Sequence, residues 1–95
     1  MSRYLIEREF PDGLSIPQGE GGASICRKVI DNNAEDGVTW VHSYVTPDRK
    51  HAFCIYDGPT PEAIRHAAAR NNLPISRITE VRVLDPYFYK YPSER

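Results

Sequence analysis

Ninety-five residues with 12 Lys and Arg, 13 Asp and Glu and 40% hydrophobic content describe one globular domain, residues 1–95, with a single modest core. A net charge of −1 speaks against a basic surface that tracks nucleic-acid phosphates and against a polybasic membrane anchor. No apolar run approaches the ~20 residues that cross a bilayer, and Arg3, Glu7, Arg8 and Glu9 interrupt the N-terminus where a leader needs an apolar stretch, so a soluble cytoplasmic protein is expected.

In chain order, Tyr4–Phe10 reads as a strand closed by a Pro11-Asp12-Gly13 turn. Pro17–Gly22 is glycine-rich but has neither dinucleotide nor P-loop spacing, and reads as a flexible connection. Ala23, Cys26, Val29 and Ile30 recur at helical spacing with Arg27, Lys28 and Asp31 opposite, and Gly37 suits the turn beyond that helix. Val38–Val45 is dense in β-branched and aromatic residues, which pack well on a pleated surface. Thr46–Lys50 has turn chemistry and His51–Tyr56 resumes as a strand, giving a hairpin. Thr60 caps the next helix, Pro61 takes its first position and Glu62 complements its dipole. Ala63, Ile64, Ala67 and Ala68 form its apolar stripe, with Arg65, His66 and Arg70 facing away, and Asn71-Asn72 ends it. Arg77–Leu84 is the last strand. Residues 85–95 form an aromatic tail (Tyr87, Phe88, Tyr89, Tyr91) with no room for regular structure before Pro92, too apolar to be left unpacked.

Strand, helix, strand, strand, helix, strand is the ferredoxin-like βαββαβ order, an α+β fold with a four-stranded antiparallel sheet and two helices on one face. Side chains alternate between the faces of a strand. Placing the aliphatic sets under the helices puts Tyr4, Ile6, Val41, Ser43, Val45, Phe53, Ile55, Thr79 and Val81 inside. The open face then carries Glu7, Glu9, Trp40, His42, Tyr44, Cys54, Tyr56, Glu80 and Arg82. A four-residue turn at Pro47–Lys50 inverts the third strand and brings Phe53 and Ile55 beside His42 instead, because a one-residue slip reverses every side chain.

That open face mixes carboxylates, a histidine and a thiol with large aromatics, chemistry suited to a metal or to acid–base work. His42, mid-strand, is the lead residue. Against it stands a half-buried histidine that only packs and hydrogen-bonds. His51 and His66, at a strand edge and on a polar helix face, read as solvated. Glu7 and Glu80, on neighbouring strands, read as ion-pair partners of Arg8 or Arg82, or as site carboxylates. Tyr44 and Tyr56 are packing groups or hydroxyl donors. Cys26 and Cys54 stand 28 positions apart with no CxxC, which supports neither a zinc knuckle nor a redox pair and leaves each as a small apolar side chain. An open sheet face and an apolar tail together point to a homodimer.

Trp40–Val45, Cys54–Asp57, Ala67–Pro74, Thr79–Val81 and Asp85-Pro86 together resemble a small domain-of-unknown-function family that includes nickel-binding proteins of ferredoxin-like fold. The resemblance runs from Arg3 to Tyr89. It implies a ferredoxin-like dimer and nickel, or another divalent metal, as cofactor, with His42, Tyr44, Cys54 and Asp57 at motif positions and Glu80 more loosely so. The metal set is then His42, Cys54, Asp57 and Glu80, inside a pocket of Trp40, Tyr44, Tyr56 and Glu7.

Three functions are compatible with these residues. The first is a divalent-metal-binding protein. The second is a cofactor-free isomerase or monooxygenase acting on a hydrophobic small molecule, with His42 as base and Glu7 or Glu80 orienting it. The third is an interaction protein with no chemistry. Three convergent donors mark the first, and a closed pocket beside His42 marks the second. With no recognisable catalytic motif, binding leads over catalysis.

Overall fold

The computed structural model describes residues 1–90. Its elements are β1 (Ser2–Glu9), α1 (Glu20–Ala34), β2 (Thr39–Val45), β3 (His51–Gly58), α2 (Pro61–Arg70), β4 (Arg77–Val81) and the short α3 (Pro86–Tyr89). The strands form one antiparallel sheet in the order β2-β3-β1-β4, the ferredoxin-like arrangement.

The core lies between α2 and the side of the sheet that carries Tyr4, Ile6, Ala52, Cys54 and Tyr56, with Val38, Ile64 and Ala67 completing it. α2 begins as its sequence dictates: Thr60 Oγ1 accepts the Ala63 N–H at 3.1 Å and Pro61 follows the cap. The two helix ends are tied together by polar groups. The buried Asn33 side chain accepts from Asn71 Nδ2 at 2.9 Å, and the Asn33 carbonyl accepts the Val38 N–H at 3.0 Å, which sets the chain's entry into β2. Asp36 accepts from His66 Nδ1 at 2.7 Å and from Arg70 Nε at 3.1 Å, so the exposed His66 has a partner where the sequence suggested only water.

Three expectations change. The glycine-rich stretch is not all connection: α1 starts at Glu20 and takes in Gly21 and Gly22. A Cβ on Gly22 would overlap the Pro17 carbonyl oxygen, so the glycine is there to let the loop lie against the helix. The packed face of α1 is Gly22, Cys26, Val29 and Asn33, whereas Ile30 is exposed. The tail is not without structure either. Asp85 Oδ1 accepts the Tyr87 N–H at 2.9 Å and Pro86 holds the first helical position, a capping signature that yields the single turn of α3. Tyr91 and Pro92 lie outside the described residues.

Candidate functional site

Strand pairing decides which side chains share a face. The turn between β2 and β3 pairs Val45 with Ala52, Tyr44 with Phe53, Ser43 with Cys54 and His42 with Ile55. This is the odd-with-even register of a four-residue turn, and it inverts β3 relative to the aliphatic assignment. Phe53 and Ile55 therefore stand on the open face with His42 and Tyr44, while Cys54 and Tyr56 point under the helices. β4 inverts as well, because Ile78 sits opposite Ile6 and so packs on the core, leaving Thr79 and Val81 outside. A bulge between Trp40 and His42 then turns Trp40 inward, opposite Tyr56, and leaves Val41 exposed.

The open face that results has rows running across the sheet: His42–Ile55–Leu5–Thr79, Tyr44–Phe53–Glu7–Arg77 and Thr39–Asp57–Arg3–Val81. Leu5, Phe53, Ile55 and Val81 give it a half-buried apolar centre. Polar pairs rim it. Arg3 grips Asp57 through Nε and Nη2 at 2.7 and 3.0 Å, and this holds the Asp57 carboxyl below the usual carboxylate range. Glu7 lies 3.9 Å from Arg77, its cross-strand partner in place of Arg8 or Arg82. His42 meets Tyr44 edge to face, with ring centroids 5.2 Å apart. His51 stands opposite Glu9 at the end of β3.

The proposed metal donors are thus divided. His42 and Asp57 share the open face, Asp57 already held by Arg3. Cys54 is buried on the helix side, and Glu80, opposite Tyr4, belongs to that side at the exposed edge of β4. Among the described residues no three His, Cys, Asp or Glu side chains come together. The described residues of one chain do not by themselves fit a resident metal, which needs at least three convergent donors. The pocket set divides in the same way, Tyr44 and Glu7 outside, Trp40 and Tyr56 inside.

The inner half of that set faces a cavity of about 150 Å³ between α1 and the sheet. Trp40 Nε1 donates to Ser43 Oγ at 2.8 Å in its wall. Cys26 and Cys54 both border it, and so does Arg8. Burial pushes the Tyr56 phenol up, against the opposing pull of Arg8. Arg8, which the sequence offers only as an ion-pair partner of Glu7 or Glu80, is instead a core residue. The signal was its parity: it shares a face with Tyr4 and Ile6, so an arginine had to enter the core.

No helix among the described residues is long and apolar enough to cross a membrane. No curated protein matches the chain. In the structural comparison, the crystal structure of SCO4226 from Streptomyces coelicolor A3(2) is similar with a TM-score of 0.71 at 14% identity, covering 88% of this chain and 100% of that one. At that identity the likeness speaks for the fold. A sequence profile described as nickel responsive protein SCO4226-like matches residues 4–81, from within β1 to the end of β4. The chain belongs to the SCO4226-like family of nickel-responsive proteins.

Proposed function

We propose that this chain is a small cytoplasmic nickel-binding protein that holds the divalent ion on its open sheet face, between two copies of the chain, with His42 as the leading donor. One observation carries this reading: His42 stands exposed on a half-apolar face that also carries His51, Glu7 and Glu9, and among the described residues no group of three donors forms within one chain. A second copy laid on the same face would cover Leu5, Phe53 and Ile55 and bring a second set of donors to the first. The family's nickel responsiveness supports the choice of ion. So does the affinity order of nitrogen and oxygen donors, which ranks Ni(II) high. An enzyme with His42 as base would need a cavity beside that histidine. The apolar cavity lined by Trp40, Cys54 and Tyr56 lies on the other side of the sheet from His42, which does not favour catalysis by that histidine.

The test is calorimetric titration of untagged, chelator-stripped protein with Ni(II), Zn(II), Cu(II) and Co(II), alongside light scattering for mass. Saturable Ni(II) binding by a two-chain species is expected. His42→Ala should remove the binding and leave the fold. Phe53→Arg, which puts a charge at the apolar centre, should yield single chains that no longer bind nickel with the same affinity. Nickel bound with unchanged affinity by His42→Ala, or by a monomer, would overturn the reading.

A further inference from the structure

Arg8 is 2% exposed. Its Nη1 donates to the Pro74 carbonyl at 2.8 Å, its Nη2 reaches Tyr56 Oη only at 3.4 Å, and its Nε has no partner. The guanidinium lies 5.6 Å from the centre of the Tyr56 ring. Among the described residues no carboxylate pairs with it. Buried arginines are rare unless an anion accompanies them, since a lone buried charge loses its hydration without replacement. Here the under-used edge, Nε with Nη2, is the one that Arg3 uses to hold Asp57 with two short bonds. That planar fork matches a carboxylate.

Arg8 also lines the 150 Å³ cavity, together with Phe10, Val29, Trp40 and Cys54. An apolar cavity of roughly this volume holds a benzene-sized molecule. One cation balances one negative charge, and a second charge would be buried without a partner. We infer that the cavity between α1 and the sheet is a binding site for a small monocarboxylate with an apolar body, of the size of benzoate or hexanoate, its carboxylate on the guanidinium of Arg8 and its body among Phe10, Val29 and Trp40. The Tyr56 hydroxyl, whose residue lines the same cavity, supplies a further donor. The site is separate from the open face and does not depend on any metal there.

The experiment is a titration of the ¹⁵N-labelled full chain with benzoate, hexanoate and benzyl alcohol, followed by amide shifts. Benzoate and hexanoate are expected to shift Cys26, Val29 and Trp40 saturably. Benzyl alcohol, of similar size and uncharged, should bind at least tenfold more weakly. Arg8→Gln should erase that preference. Should this variant unfold, Cys26→Phe fills the cavity from α1 with Arg8 in place and should lose benzoate binding while keeping the wild-type spectrum elsewhere. Equal affinity for benzoate and benzyl alcohol, no saturable shift with any probe, or unchanged benzoate affinity in either folded variant would overturn the inference.

Discussion

Asp36 shows how a single carboxylate couples two helices. It follows the end of α1 and takes a hydrogen bond from His66 and another from Arg70, both on α2. The His66 contact is the main cause that holds its carboxyl below the ordinary range. A carboxylate whose folded pKa is depressed contributes stability that is complete above its unfolded value, about 3.9, and is lost as pH falls through the folded value. The wild-type chain should therefore melt above Asp36→Asn at neutral pH, and the gap in Tm should close as pH drops below about 4. A gap constant from pH 7 to pH 2 would show that the loss is not ionic. At this scale the sequence was uneven in what it revealed. His42 and Tyr44 stand on the open face as alternation predicts. Cys54 and Tyr56 do not, because a side chain's face depends on the register of a strand and not on its own chemistry. Arg8 was readable from parity alone, but its lack of a carboxylate partner was not, since that depends on what four other elements bring near it.

Elements with local signals formed where those signals lie. Thr60-Pro61-Glu62 starts α2, and Asn72, with φ of 55°, leaves it through the left-handed region that asparagine tolerates. The bulge at Val41 had no such signal. One extra residue in β2 looks like any other β-branched residue, and only the fixed pairing of Trp40 with Tyr56 and of His42 with Ile55 exposes it. α1 illustrates the opposite case, glycines that look like a loop but serve a helix. Gly22→Ala should destabilise the fold by about 1–3 kcal/mol, because the new methyl collides with the Pro17 backbone and the loop must move. Gly21→Ala is its control. Its Cβ would sit 3.4 Å from the Pro17 ring, an ordinary contact, and alanine favours the helix, so neutral to slightly stabilising behaviour is expected. Urea midpoints of the two variants test the contrast, and equal midpoints would contradict it.

For the molecule as a whole, the family match ends at Val81, where β4 ends. Beyond it Val83, Leu84, Tyr87 and Tyr89 are all more than half exposed, and α3 has no buried residue. Residues 85–90 thus add no buried side chain to the single-chain core. Removing residues 85–95 should leave the Tm of dilute protein unchanged. If the tail adds to the contact between copies, the same truncation lowers the two-chain fraction at high concentration, which sedimentation would measure. The fold class was legible because element order and crossover handedness leave few alternatives. The division of the proposed donors between two sides was not, because it follows from two registers and a bulge.

That bulge has a consequence for how the chain behaves in a crowded solution. β2 is an outer strand, and an outer strand offers unpaired amides to any other strand that drifts by. The extra residue at Val41 breaks the even spacing of those amides halfway along, and on the far side β4 is only five residues long. Neither border is a good template for growth of a continuous ribbon. Both borders therefore disfavour strand addition, the mode of self-association that does not stop. A chain lacking Val41 would pair Trp40 with Tyr56 and His42 with Ile55 in unbroken register, which straightens the border, and fibril formation is the hazard it would gain.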